Sequence, residues 1–188
     1  DTVIVRLHQP VTLLVGSGDT ICIGETSRLA ASGAEVYNWS PATGVKDPAT
    51  GTTTVTPQVS TRYTVIGRDG AGCFSDTASV EIRVWPRPTV SIEDVITLPV
   101  GNSVVLRPQY SSDVSAYQWS HAQTLSCATC PYPSAKPKAE TTYSITAKNE
   151  GGCAAKDEVT VQVVCNGGNL FIPNTFSPNN DGVNEQFY

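Results

Sequence analysis

The residues best suited to chemistry in this chain are six cysteines, two histidines and a few clustered carboxylates. Cys127-Ala-Thr-Cys130 is a C-x-x-C motif, a spacing shared by redox sites, half zinc sites and local staples. A zinc site needs a second ligand pair, and neither His8 nor His121 has a partner at suitable spacing. A thioredoxin-like site needs a helix after its first cysteine, whereas Pro131 and Pro133 follow the second one here. The expected role of Cys127 and Cys130 is a local disulfide closing a proline-rich loop. Cys22, Cys73, Cys153 and Cys165 remain to be paired.

Nothing else assembles into a reaction centre. The sequence has no nucleophile elbow, no H-E-x-x-H and no phosphate-binding glycine loop. Ser17 sits between two glycines with no histidine nearby, and Asp157 and Glu158 on a strand face opposite sides. Acid–base catalysis needs positioned partners, so neither a catalytic residue nor a cofactor is expected, and the chain does not read as an enzyme. Near the C-terminus, Asn179, Asp181, Asn184 and Glu185 surround Gly182 with oxygen ligands reminiscent of a calcium loop. The full D-x-[DN]-x-[DN]-G…E pattern is missing, and an Asx-type turn is the expected structure.

The composition narrows the class of scaffold. Of 188 residues, 15% are charged and 39% hydrophobic, and none is methionine. Abundant Thr and Val suit pleated strands, and no long stretch carries apolar residues at the helical period. A net charge of −5 argues against nucleic acid, which demands clustered Lys and Arg. No apolar run approaches the roughly 20 residues that span a bilayer. Cysteines without metal-ligating partners point to disulfides and an oxidising compartment.

An internal repeat organises these strands. Tyr37-Asn-Trp-Ser40 recurs as Tyr117-Gln-Trp-Ser120, Tyr63-Thr-Val65 as Tyr143-Ser-Ile145, and Gly72-Cys73 as Gly152-Cys153, all offset by 80. Gly24–Leu29 matches Gly101–Leu106 at an offset of 77, which places an insertion near Pro108–Asp113 of the second copy. Short alternating runs separated by Gly, Pro, Asn and Asp predict an all-β sandwich in each copy. In copy one the predicted strands are Val11–Val15 with Thr20–Ile23, then Ser27–Ala31, Val36–Ser40, Thr52–Thr56, Tyr63–Arg68 and Ala78–Val84. In copy two they are Val90–Ile92 with Ile96–Leu98, Ser103–Arg107, Tyr117–Ser120, Ser134–Lys138, Tyr143–Lys148 and Glu158–Val164. Trp39 and Trp119 stand where a sandwich places its central core aromatic, and Tyr63 and Tyr143 where a tyrosine corner begins the penultimate strand. Asp1–Leu7 parallels the last strands that start at Asp76 and Asp157, so residues 1–7 read as the closing strand of a preceding copy. The resulting layout is a strand at 1–7, sandwiches at 10–85 and 88–165, and the start of another domain at 169–188.

This frame bears on the four remaining cysteines. Counting favours Cys22–Cys73 and Cys153–Cys165, one bond in each copy. Geometry objects, because the strand ending at Cys22 and the turn holding Cys73 belong at opposite ends of a sandwich. A disulfide needs Cα atoms within about 7 Å, while twelve extended residues span roughly 40 Å. A bond from Cys22 to Cys153 across the junction is the alternative. The preference leans slightly to pairing within each copy.

Two resemblances add to this reading. Ile21-Cys-Ile-Gly24, Tyr37-Asn-Trp-Ser-Pro-Ala-Thr-Gly-Val45 and Tyr63-Thr-Val65 with Gly72-Cys73 resemble the wording of tandem Ig-like, PKD-like modules of secreted Bacteroidota proteins. Phe171-Ile-Pro-Asn-Thr-Phe-Ser-Pro-Asn-Asn-Asp-Gly-Val-Asn-Glu185 resembles the opening of the gliding-motility-associated C-terminal domain, the sorting module of type IX secretion. The resemblances imply an extracellular, surface-attached repeat protein whose partners are the secretion machinery and neighbouring repeats or copies of itself. They also make Asp1-Thr-Val3, Asp19-Thr-Ile21 and Asp76-Thr-Ala78 similar to a D-[ST]-aliphatic O-glycosylation signal, with Thr2, Thr20 and Thr77 as acceptors. The expected function is a non-catalytic stalk, spacer or fibre segment, with strand addition between chains as one route to a filament. The alternatives are an adhesin or carbohydrate-binding module using the loop Thr124–Tyr132, and accessory domains of a larger secreted enzyme.

Overall fold

The computed structural model describes residues 10–165. The expectations for residues 1–7, for Thr2 and for 169–188, including the four calcium candidates, lie outside them. The first repeat forms β1 (Leu14–Val15), β2 (Asp19–Cys22), β3 (Ser27–Ser32), β4 (Val36–Ser40), β5 (Thr52–Val55), β6 (Thr61–Arg68) and β7 (Ser75–Trp85). The second forms β8 (Val90–Ser91), β9 (Val95–Pro99), β10 (Val104–Val105), β11 (Gln109–Tyr110), β12 (Val114–Trp119), β13 (Ser134–Ala135), β14 (Thr141–Asn149) and β15 (Ala154–Val164). A single 3-10 turn, Ala122–Thr124, is the one helical element among the described residues.

Both repeats build the same four-stranded sheet, in the order β2-β7-β6-β4 and β9-β15-β14-β12. Within each, β2 runs parallel to β7 and β9 parallel to β15, while the other neighbours are antiparallel. In the first repeat β1, β3 and β5 make the facing sheet; in the second, its counterpart is split into the pairs β10·β13 and β11·β8. The period-2 alternation of strands creates the inner faces. In β6 it buries Tyr63 and Val65, and in β14 Tyr143, Ile145 and Ala147.

One apolar cluster fills each repeat, around Leu29, Trp39, Val55, Tyr63, Val65 and Ile82 in the first and Leu98, Leu106, Trp119, Tyr143, Ile145 and Val159 in the second. Trp39 lies opposite Val65 and Trp119 opposite Ile145, so the two cores share one register. Each fully buried aliphatic or aromatic side chain contributes about 1.5–3 kcal/mol relative to an exposed one.

Two sequence expectations need correction. The predicted strand Ser103–Arg107 is instead two short ladders, β10 and β11, flanking Pro108. Proline has no N–H to donate, so the strand that runs unbroken as β3 in the first repeat is interrupted here. The last strands also align differently from the match of Asp76 to Asp157. Tyr63 faces Val80 and Tyr143 faces Val159, which slips the match by two residues. The slip keeps every residue on its original face because the side-chain period is two. Both aspartates nevertheless do one job. Asp76 Oδ2 accepts the N–H of Leu13 and Asp157 Oδ2 that of Ile92, each at 2.8 Å, pinning the first strand to the last.

Candidate functional site: the junction and the stapled loop

The first repeat meets the second through a turn. At one side, Ile21-Cys-Ile-Gly-Glu25 closes around Gly24 at φ 85°, with Glu25 N–H donating to the Cys22 carbonyl at 2.9 Å. The Glu25 carboxylate reaches back to the N–H of Cys22 at 2.9 Å. β2 ends beside Trp85, whose carbonyl accepts the Ile23 N–H at 2.8 Å. On the other side, Asn149–Cys153 forms the β14–β15 turn. Gly152, at φ 81°, donates to the Asn149 carbonyl at 3.0 Å, and Cys153 N–H to Asn149 Oδ1 at 3.0 Å.

These two pieces are bonded covalently. Cys22 and Cys153 form a disulfide with a Cα–Cα distance of 5.6 Å and a sequence separation of 131, well inside the usual span for such a bond. The preferred pairing within each copy is therefore replaced by a bond across the junction, and Cys73 and Cys165 are exposed thiols. The physical reason is the one geometry raised: Cys22 and Cys73 sit at opposite poles of one sandwich, whereas stacking brings the C-terminal pole of the first onto the N-terminal pole of the second. Trp85 packs over the turn so closely that a Cβ on Gly151 would overlap its ring. Asn149 Nδ2 donates to the Pro86 carbonyl at 2.9 Å and to Asp113 Oδ2 at 3.0 Å, tying linker and second sandwich together. Hydrogen bonds from the Ser111 and Asn149 side chains hold the Asp113 carboxyl below its ordinary range. Arg87 adds an exposed ion pair to Glu25 at 3.3 Å, a contact that contributes little by itself.

Cys127 and Cys130 are joined, with Cα atoms 5.9 Å apart. Their loop has a clear internal duty. Trp119 Nε1 donates to the Cys130 carbonyl at 3.0 Å, as Trp39 Nε1 donates to the Thr50 carbonyl at 2.9 Å in the first repeat. An indole N–H buried in a core must find an acceptor, and the loop after each tryptophan strand folds back to provide it. In the first repeat an Asx turn holds the loop, through Ala49 N–H to Asp47 Oδ1 at 3.1 Å; in the second the staple takes that part.

The stapled loop also gathers aromatics that sequence spacing did not bring together. Tyr110, from β11, donates its hydroxyl to the Pro131 carbonyl at 2.8 Å. Its ring lies 4.9 Å from that of Tyr117 and 6.1 Å from that of Tyr132. Burial, reinforced by the two neighbouring phenols, pushes the Tyr110 hydroxyl far up from its ordinary value. Tyr132 is 51% exposed and forms the open face of the group. Tyr143 is fully buried, and its hydroxyl meets the Thr124 side chain at 2.7 Å, not a backbone carbonyl of the kind a tyrosine corner uses. Burial raises the Tyr63 phenol, with a hydrogen bond from the Thr61 side chain opposing it.

Thr20 and Thr77 are exposed, each following an aspartate whose Oδ1 accepts the threonine N–H at 2.8 Å. His121 lies at a left-handed turn (φ 53°), its ring 6.0 Å from that of Tyr143 and its Nδ1 3.2 Å from Ser120 Oγ. Among the described residues no group of three or more His, Cys, Asp or Glu side chains could hold a metal ion, and no helix is long and apolar enough to cross a membrane.

No family model matches the chain, and no curated protein matches it. Solved structures do. Extracellular domains 3–5 of Drosophila OTK superpose with a TM-score of 0.53 at 14% identity, covering 83% of this chain and 62% of that one. The I67–I69 fragment of the titin I-band gives 0.48 at 15% identity, with 84% and 66% covered. The insect immune protein hemolin gives 0.46 at 17% identity, with 80% and 46% covered. The chain thus spans less than two thirds of the length of these structures. The likeness to OTK, with the shared sheet order above, defines the architecture: all-β, tandem immunoglobulin-like sandwiches.

Proposed function

We propose that this chain is a non-catalytic, load-bearing spacer in an extracellular, surface-attached repeat protein, with residues 10–85 and 88–165 as its two units. The observation that carries this reading is the Cys22–Cys153 bond. Tension applied along the chain enters through the first strands, crosses the bond and leaves along β15, so most of both sandwiches lies outside the loaded path. Two disulfides fit an oxidising exterior. The resemblance of Phe171–Glu185 to a type IX sorting domain supplies the export route and the surface attachment, and Thr20 and Thr77 are the proposed glycan acceptors. Deleting 166–188 in the native host should retain the protein inside the cell; normal export of the truncated chain would refute that route. Small-angle scattering should give one fixed maximum dimension for the oxidised protein. A broad distribution of dimensions that reduction leaves unchanged would overturn the spacer.

A second reading rests on the Tyr110–Tyr117–Tyr132 group. An exposed ring held by a staple presents a stacking face for sugars, as in adhesins. A glycan array bound by the intact chain and lost in Tyr132→Ala would establish it, and an array with no hits would remove it.

A further inference from the structure

We propose, building on Tyr132 as a stacking face for sugars, that the outer face of β10 and β13 binds an acidic polysaccharide. Tyr132 stacks on a sugar ring, and Arg107 clamps the carboxylate that a uronic-acid unit carries.

Backbone register sets the two residues side by side. Val104 pairs with Ala135, and Leu106 N–H donates to the Pro133 carbonyl at 2.9 Å. The next rung places Arg107 against Tyr132. Leu106 and Pro133 are buried, so strand alternation turns Arg107 and Tyr132 to solvent, and both are exposed. The first repeat has the same lattice, with Ser27 on Val55 and Ala30 on Thr52. Its core forms with an alanine and a threonine at the equivalent rung, so the fold itself requires neither a cation nor an aromatic ring there.

Tyr132 is held ready before any ligand arrives. Pro131 and Pro133 flank it; each fixes its own φ, and Pro133 confines Tyr132 to extended backbone. The Cys127–Cys130 bond closes the preceding loop. Ser126 N–H donates to the Ser134 carbonyl and Ser134 N–H to Ser126 Oγ, both at 2.9 Å, tying that loop to β13. The Tyr110 ring, 6.1 Å away and anchored by its hydroxyl to Pro131, supports the Tyr132 ring. A ring ordered in advance loses little freedom on binding.

Charge selects the ligand. Lys136 and Lys138 continue the exposed row past Tyr132 and Ser134. Lys136 stands four residues from Tyr132, about 13 Å of strand, a reach that calls for a polymer of sugars. Between Asp94 and Glu140 the sequence holds one carboxylate, Asp113, and Ser111 and Asn149 engage it at the junction. Glu93 and Asp94 precede β9, which belongs to the other sheet. Among the described residues Arg107, Lys136 and Lys138 make no ion pair. A chain of net charge −5 thus keeps three unneutralised cations on one face. A guanidinium fork meets a carboxylate through two parallel hydrogen bonds, whereas a neutral sugar offers it no charge.

The test is calorimetric titration of the intact chain, at low and high salt, with three kinds of polymer. These are uronic-acid polysaccharides (polygalacturonate, alginate and hyaluronan), neutral dextran, and polyglutamate, which carries carboxylates without sugar rings. At least one uronic-acid polymer should bind, more weakly at high salt, and more tightly than dextran or polyglutamate. Arg107→Gln should weaken that binding about tenfold or more through loss of a charged hydrogen-bonding pair, and Tyr132→Ala roughly tenfold through loss of the ring. Lys136→Gln should cost less, and all three variants should melt as cooperatively as the parent because the side chains are exposed. Dextran bound as tightly as the acidic polymers, with Arg107→Gln without effect, would overturn the acidic ligand and leave the stacking face standing. Polyglutamate bound as tightly, with Tyr132→Ala without effect, would reduce the face to bare charge and overturn the proposal. Binding to no polysaccharide would remove both this ligand and the stacking face beneath it.

Discussion

Holding the chain by its two ends and pulling tests the central claim most directly. The Cys22–Cys153 bond encloses a sequence separation of 131 residues. At about 3.5 Å per extended residue, it withholds roughly 450 Å of contour from the load. Among the described residues, only 10–22 and 153–165 stay in the loaded path, and they can yield about 80 Å on the same scale. Optical tweezers with enzymatically ligated handles at both termini avoid new cysteines. The described part of the oxidised chain should contribute short extensions totalling about 80 Å or less by this chain-length reckoning. Replacing both junction cysteines, Cys22→Ala with Cys153→Ala, should add about 450 Å in two further steps, one per sandwich. Equal total extension with and without the bond would refute the reasoning, because it would place both sandwiches in the loaded path despite the link.

The remaining predictions concern stability and geometry. For a separation of 131, the chain-entropy model assigns the junction bond about 5 kcal/mol, and measured losses run from about 2 to 5. Even a 2 kcal/mol loss lowers the midpoint of a chain this size by about 4–8 °C, which calorimetry of the double alanine variant would detect. Gly151→Ala drives a methyl into the Trp85 ring and should cost about 1–3 kcal/mol as an overpacking change, with Trp85 fluorescence shifting toward that of an exposed indole. Trp119→Ala empties a core position that is 2% exposed and should destabilise the second sandwich by about 3–5 kcal/mol, leaving the first unchanged in proteolysis of the reduced protein. Acid should loosen both repeats. Asp76 is held below its ordinary 3.8 by the N–H groups of Leu13 and Thr77, and Asp113 by Ser111 and Asn149. A depressed folded-state pKa means the unfolded chain binds more protons, so this stabilisation is present above about pH 4 and lost as pH falls through the folded values. Asp76→Asn should flatten the acid limb of the stability curve measured by urea titration, and an unaltered limb would remove Asp76 from the account.

Most of the architecture was legible because its causes are local. Alternation in Thr61–Arg68 and Thr141–Asn149 dictates which side chains point inward whatever the rest of the chain does. Repetition of whole phrases such as Tyr37–Ser40 and Tyr117–Ser120 reveals two copies with one register. Where the reading slipped, the cause was the same periodicity. Moving the last strand by two residues leaves every side chain on its face, so nothing in the apolar pattern resists the error. The split at Pro108 was visible only as an insertion, because a missing N–H shows its effect once a neighbouring strand needs it.

The amino-acid sequence by itself determined an all-β chain, two copies of one sandwich, and the tryptophans and tyrosines placed for their cores. It also showed six cysteines with no metal-ligating partners. Only the tertiary structure decided which cysteines meet. The pairing of Cys22 with Cys153 depends on how one sandwich stacks on the next, through Trp85 over Gly151 and Asn149 on Pro86. Those contacts join residues more than sixty positions apart and leave no periodic trace. The same stacking leaves Cys73 and Cys165 as exposed thiols, because neither stands at the junction where the two sandwiches meet.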